Sequence, residues 1–366
     1  MTTLPLKNLR IIEFSGIGPG PYAGQILADM GAEVIAIDRP KRGDIALEKA
    51  VDRRGKRSII LDLKSGQGKK VALALIASAD GLIEGNRPGV MERLGLGPKD
   101  CMGINPKLVY GRMTGWGQAG PYAQMAGHDI NYLSITGALH AIGPADLPPP
   151  PPLNLIGDFG GGSMFLVTGM LAALLNAKAN GQGAVVDAAI CDGVNSMMGM
   201  FHSLDAAGRW NSERHNNWLD GATPYYRCYQ TSDQRFMAVG CIEPQFFATM
   251  LRMLDLDAEN FGKQHQLDLH HRQATELAAK FGANTMAHWT RIFDKSDACV
   301  TPVLTYPEAA QHPHMAARNA LQNHDGLTHP APAPRFGPEA AKIDTKIPCD
   351  GENGDEILKE LGFSPK

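Results

Sequence analysis

The first forty residues constrain the fold more than any other stretch. An apolar run from Leu9 to Phe14 leads into the loop SGIGPGPYAG, a helix is expected from about Pro21 to Met30, and Glu33 to Ile37 form a second apolar run ending at Asp38-Arg39. This order predicts a βαβ unit, with Pro21 opening the helix and Gly31 stopping it at the C′ position. Further strands are expected at Ser58 to Leu61, Gly81 to Glu84 and Leu108 to Arg112, alternating with helical stretches at Gly66 to Ala79 and Gly89 to Leu94. Such alternation makes a parallel sheet with helices on both faces, so the expected fold class is α/β, with a Rossmann-like large domain.

At 366 residues the chain exceeds what one core usually holds, and two domains are expected. Gly111 to Gly143 is rich in glycine, small residues and aromatics, and Pro148 to Pro152 form a stiff polyproline run; this region reads as a loop over the sheet. A long apolar helix from about Gly162 to Ala179 is closed by Asn180-Gly181, and a strand at Ala184 to Ala189 leads into another helix reaching about Gly208. The large domain is therefore expected at 1–208, followed by a polar linker, GRWNSERHNNWLDG, over 209–222. A smaller α+β domain at 223–324 is expected to hold hairpin strands at Tyr225 to Gln230 and Phe236 to Val239, helices from Gln245 to Ala298 and a strand at Ala298 to Leu304. Residues 325–366, with a short helix near Asp355 to Leu361, are expected to return to the large domain.

Hydrophobic content of 43% with 20% charged residues excludes extensive disorder. A net charge of −3 supplies no basic field for nucleic acid or anionic lipid, although a local basic pocket for a small polyanion stays open. Cys101, Cys191, Cys228, Cys241, Cys299 and Cys349 show no CxxC or other metal-ligand spacing, and read as reduced thiols of a cytosolic protein. MTTLPLKNLR lacks a signal-peptide pattern, no run approaches 18 uninterrupted apolar residues, and Ser364-Pro365-Lys366 is not a peroxisomal ending. The expectation is a soluble, cytoplasmic protein without nucleic-acid or membrane partners.

Three short peptides each offer a titratable group in a setting suited to proton transfer: AGHDINY around His128, NLIGDFGGGS around Asp158 and GCIEPQF around Glu243. A histidine and a carboxylate on opposite faces of one carbon can remove a proton from one side and return it to the other. His128 is set apart from the other histidines by Gly127 before it, Asp129 after it and Tyr132 one turn on. The glycine lets a ligand approach the backbone, and N–H groups of the following helix are placed to stabilise an enolate oxygen. The bland reading is a satisfied structural histidine. Asp158 reads equally as an N-cap of the long helix, and Glu243 as a first-turn helix acid that Ile242 and Phe246 partly desolvate.

Two further stretches suggest anion binding. Gly16-Ile17-Gly18-Pro19-Gly20-Pro21, with Asp38 downstream, approximates a dinucleotide fingerprint, but Pro21 replaces its third glycine and a tight turn explains the residues. In EGNRPGVMERLGLG, residues 84–97, Arg87 and Arg93 flank a short helix after Pro88, an arrangement that suits a phosphate or, more plainly, a solvated helix face.

The N-R-P-G-x-x-x-R-L-G-L-G stretch, with the GHDINY, PLNLIGDFGGG and IEPQF peptides, resembles the family III CoA-transferase superfamily, also called CaiB/BaiF, and within it the α-methylacyl-CoA racemases. The resemblance runs in order over about residues 7–320. It implies that His128 and Asp158 act as two bases, that Glu243 supports them and that Asp129 orients the histidine. It also implies a coenzyme A pocket formed by Arg39, by Leu61, Asp62, Leu63 and Lys64, by Gly85, Asn86, Arg87 and Arg93, and by Gly127, Ile130, Asn131 and Tyr132; alone, Asp62 reads as a turn residue. The implied fold is an interlocked homodimer. The implied substrate is a 2-methylacyl-CoA thioester, epimerised through an enolate without a metal or redox cofactor, coenzyme A being part of the substrate. Two alternatives stay open: a CoA-transferase with Asp158 as nucleophile, and an acyl-CoA-binding protein without turnover. Met197, Met198 and Met200 read either as core or as an adaptable apolar surface for the acyl chain.

Overall fold

The computed structural model describes residues 4–41, 47, 49–337 and 344–364. Contacts divide the chain into two units: Met1–Thr136, Pro151–Met198 and Pro313–Lys366 form one, and Gly137–Pro150 with Gly199–His312 form the other.

In the first unit, β1 (Arg10–Phe14), β2 (Glu33–Asp38), β3 (Lys56–Ile60), β4 (Gly81–Glu84), β5 (Val109–Thr114) and β6 (Val185–Ala189) form one parallel sheet in the order 3-2-1-4-5-6. That is the doubly wound order, and the chain changes direction between β1 and β4. Ligands of such sheets sit beyond the strand carboxyl ends at this switch point. The helices are α1 (Pro19–Asp29), α2 (Gly66–Ala77), α3 (Val90–Leu94), α4 (Pro98–Ile104), α5 (Asp129–Ser134), α6 (Met164–Asn180) and α7 (Ile190–Met197).

Strand periodicity assigns the two faces. Ile12, Phe14, Ile35, Ile37 and Ile59 share one core with Val71, Leu75 and Ile76 of α2 and Cys101 of α4. On the other face Met170 of α6 approaches so near to Gly81 and Gly111 that a Cβ at either would lie 2.9 Å from its side chain. The helical stretch Leu155–Asn180 is long and apolar enough to cross a membrane by length and composition. Here Leu166, Val167, Met170, Leu174 and Ala177 of α6 are buried, and the helix packs on β5 and β6.

A buried ion pair crosses this sheet. Lys56 of β3 donates to Glu13 of β1 at 2.7 Å and to the carbonyl of Pro21 at 2.8 Å, with both charged side chains almost wholly buried. Gly24 of α1 is a consequence, since a Cβ there would stand 1.8 Å from Glu13 Oε2.

In the second unit, α8 (Gly199–Ala206) precedes an antiparallel sheet of β7 (Tyr226–Gln230), β8 (Phe236–Gly240) and β9 (Val300–Pro302). It carries α9 (Pro244–Met253), α10 (Ala258–Phe261), α11 (His270–Gly282), α12 (Met286–Phe293) and α13 (Tyr306–Gln311). Its core joins Tyr229, Met237, Phe281 and Trp289, and Trp289 Nε1 donates to the carbonyl of Phe281 at 2.8 Å. The chain then returns to the first unit through α14 (Pro313–Ala317), a hairpin of β10 (Leu321–His324) and β11 (Leu327–Pro330), and α15 (Gly354–Glu360). Near its end, Asn353 Oδ1 and the Gly351 N–H bond to Ser58 at 2.9 and 2.7 Å, and Ile357 and Leu358 enter the core.

The unit boundaries differ in detail from the sequence-based ones. Residues 199–208, read as the end of the large domain, belong to the second unit, as do 137–150, and the return begins at Pro313 rather than at 325. An apolar helix pattern does not state which neighbour it packs on; Phe201 of α8 meets Trp210 of the expected linker at 4.9 Å. The single helix expected after β6 is two, and α4 and the β10–β11 hairpin were not anticipated. All six cysteines are free. Met1–Thr3, Pro365 and Lys366, which carry part of the terminal readings, lie outside the described residues.

Removing one member of a buried ion pair strands the other charge, so Lys56→Met is expected to cost about 3–5 kcal/mol in urea unfolding. The double variant Glu13→Leu/Lys56→Met is expected to recover most of that loss.

Candidate active site

Asp158 does not cap the long helix. It lies inside a π-helical turn, Leu155–Ser163, with Asn154 at the N-cap and α6 beginning only at Met164. The wide turn bonds i to i−5, as in the 3.2 Å bond from the Phe159 N–H to the carbonyl of Asn154. Such turns cluster at functional positions. Glycines permit it here: a Cβ on Gly193 of α7 would lie 1.9 Å from the carbonyl oxygen of Gly161, so the two backbones touch. Ser163 Oγ donates to the carbonyl of Pro19 at 2.8 Å, tying the turn to the start of α1.

This tie sets Asp158 at the switch point. Gly18, in the loop after β1, has φ +72°, and a Cβ there would stand 3.2 Å from Asp158 Oδ2. The ring of Phe159 packs on Tyr22 of α1 at 4.5 Å.

The histidine peptide meets the same turn through Asp129. Asp129 Oδ1 accepts the Asp158 N–H at 2.6 Å, and Gly157 must lack a side chain because a Cβ would fall 2.2 Å from that oxygen. His128 is exposed at the N-cap of α5, and its N–H donates to Asn131 Oδ1 at 3.1 Å. This bond engages the N–H of His128 itself, which precedes the helix. Tyr132 fills the space left by Gly115 and Gly127, donates its hydroxyl to the carbonyl of Gly127, and meets Trp116 edge-on at 4.7 Å. Gly115, Trp116 and Gly127 of TGWGQAGPYAQMAG therefore serve the packing of Tyr132.

Burial pushes the Asp158 carboxyl up to about 6, with the charge of Asp129 adding to the rise and the hydrogen bond from Asn154 and the charge of His128 opposing it. Burial also raises Asp129, against the pull of the Asp158 and Gly157 N–H groups. The Tyr132 phenol is raised by burial, then by Asp158 and Asp129, with Arg87 opposing. Two neighbouring carboxylates with one held near neutrality form a site that stores an exchangeable proton.

The proposed coenzyme A residues fall at the carboxyl ends of the strands. Arg39, after β2, donates to Asn86 Oδ1, after β4, at 3.2 Å. Arg87 and Arg93 are exposed, and Gln124 Nε2 donates to the carbonyl of Pro88 at 3.1 Å, joining the NRPG turn to the loop that leads to His128. Leu61 is buried and Leu63 packs at the edge of the core. Asp62 accepts the Lys64 N–H at 3.0 Å, so it is indeed a turn residue by geometry. A cavity of about 220 Å³ beside it is lined by Leu61, Asp62, Ser65, Asp350 and Asp355. Gly85 and Ile130 are exposed. Glu243, in the second unit, occupies the N-cap of α9, is exposed, and makes no side-chain capping bond; half-buried Ile242 and Phe246 do not cover it. It takes no part in the bonds just described. Among the described residues no cluster suited to a metal is present.

Sequence reasoning missed Trp116, Gln124, Asn154 and Gly157, and read Gly18 only as part of a tight turn. Their glycine-rich and aromatic setting was visible, but which gap each filled was not.

Because the folded state retains a proton on Asp158 that the unfolded chain releases near 3.8, stability contributed by this group falls as pH rises from about 4 to about 6. Asp158→Asn removes that penalty and is expected to raise the melting temperature at pH 7.5 but not at pH 4. Asp129→Asn is expected to lower the Asp158 titration midpoint, followed by carboxyl carbon NMR.

A sequence profile of CoA-transferase family III matches residues 6–351. The chain is 42% identical to the α-methylacyl-CoA racemase of Mus musculus, over 98% of this chain and 94% of the relative, and 39% identical to that of Homo sapiens, over 99% and 94%. A CaiB/BaiF family protein from Brucella suis superposes with a TM-score of 0.84 at 25% identity, over 98% of this chain and all of that one. The chain belongs to CoA-transferase family III.

Proposed function

We propose that this protein is an α-methylacyl-CoA racemase, an isomerase that epimerises (R)- and (S)-2-methylacyl-CoA by two-base proton transfer. The observation that carries the reading is the pairing of Asp158, raised to about 6, with the GHD peptide through the Asp129 bond, in a chain about 40% identical to racemases over nearly its whole length. The α-proton of a thioester is weakly acidic, so a base must act as the enolate forms. In the S epimer His128 takes the proton and Asp158, protonated, delivers one to the opposite face; the R epimer reverses the roles. A group near 6 serves as both acid and base at neutral pH.

The proposal extends to coenzyme A along Arg39, the 61–64 turn and the NRPG peptide, to Glu243 as a supporting group, and to a cytoplasmic homodimer active on lipid-derived substrates. Proton transfer of this kind calls for no metal or redox cofactor.

The equilibrium constant between epimers does not depend on pH, so both directions must use the same singly protonated pair. Their kcat/KM profiles are expected to superimpose, with the limb set by Asp158 near pH 6. Proton NMR of one 2-methylacyl-CoA epimer in D₂O tests the reaction itself. Deuterium incorporation at the α-carbon with loss of stereochemical purity is expected, slowed about 10²–10⁴-fold in His128→Ala and Asp158→Ala. No exchange, with transfer of CoA to an added carboxylate, would instead assign Asp158 as a nucleophile.

A further inference from the structure

Beneath the NRPG peptide lies a buried charged network that the proton-transfer chemistry does not use. Glu84, fully buried at the end of β4, faces Arg112 of β5 in register. Its Oε1 accepts from Arg112 Nε at 2.9 Å, and its Oε2 accepts the backbone N–H of Asn86 at 2.7 Å. The two terminal nitrogens of Arg112 reach Glu92 of α3 at 2.7 and 3.3 Å. Glu92 is followed directly by Arg93, and α3 is bounded by Gly89 and Gly95, both left-handed.

One guanidinium therefore holds both parts of the arginine-bearing peptide: the turn at Asn86, through Glu84, and α3, through Glu92. Tyr110, the next residue inward on β5, adds a third hold where its hydroxyl donates to the carbonyl of Leu96 at 2.8 Å. Glu84, Arg112 and Tyr110 are buried, whereas Arg87 and Arg93 are exposed. A buried ion pair such as Glu84–Arg112 is often no more stable than apolar residues of the same volume, so stability alone does not account for it. A planar fork that makes three directed bonds to two carboxylates does account for it, because it fixes position as well as charge.

We propose that Arg112 is a positioning residue for coenzyme A binding, setting the geometry of Arg87, Arg93 and Asn86 through Glu84 and Glu92. The inference rests on the acyl-CoA reading above and adds residues that do not touch the ligand. Lysine cannot reproduce the bidentate bond to Glu92 while also reaching Glu84.

Isothermal titration with coenzyme A, together with steady-state racemisation, tests it in Arg112→Lys and in Glu92→Gln. Glu92 has a half-exposed side chain, so its variant is expected to fold with a native melting temperature. Both variants are expected to bind coenzyme A about tenfold more weakly, the scale typical when outer residues that orient a binding group are removed, and to raise KM by the same factor with kcat unchanged. Wild-type affinity in both variants, or a fall in kcat at unchanged KM, overturns the positioning role. Absence of coenzyme A binding by the wild-type protein overturns the acyl-CoA reading itself, and the inference with it.

Discussion

The ion pair of Lys56 and Glu13 ties together the parts of the large unit on which the site depends. It spans β1 and β3, so it reports correct alignment of three adjacent strands, and the second bond of Lys56 holds the carbonyl of Pro21 at the first turn of α1. From that turn Pro19 accepts Ser163, which fixes the π-helical turn, and Gly18 abuts Asp158. A charge pair is a poor source of net stability when buried, but a strong penalty on any arrangement that separates it. The pair thereby disfavours misplacement of the α1 start, and with it misplacement of Asp158.

The chemistry of the site follows from close backbone approach. Gly157 admits the Asp129 carboxylate and Gly193 admits the carbonyl of Gly161, so two acids come together in a pocket that partly excludes water. Desolvation and like charge then act in the same direction on Asp158. Arg39, Asn86 and the NRPG turn gather at the ends of β2 and β4, held from beneath by Glu84 and Arg112. The groups proposed for proton transfer and those proposed for coenzyme A thus share the carboxyl edge of one sheet. They arrive there from distant parts of the chain because all six strands point the same way.

Much of this was legible in the sequence. The βαβ start, the strand runs and the apolar helix after GDFGGGS carry strong local periodicity, and each appears within a few residues of its expected bounds. His128 and Asp158 stood out by their glycine-rich flanks. What those flanks did was less legible. The Asp158 peptide reads as an N-cap because an aspartate before small residues and an apolar helix is the usual start of a helix, whereas the turn there is π-helical. Gly127 reads as a point of ligand approach, whereas it makes room, with Gly115, for Tyr132.

By itself, then, the sequence determined the alternation of strands and helices, the parallel sheet and which titratable residues stand in glycine-rich settings, since these rest on local pattern and side-chain chemistry. Tertiary structure alone decided that Asp129 bonds the Asp158 backbone, that Asp158 sits against Gly18, and that α8 joins the second unit. Each of these depends on contacts between segments far apart in the chain, and a carboxylate takes its proton affinity from the burial and charge that those contacts create.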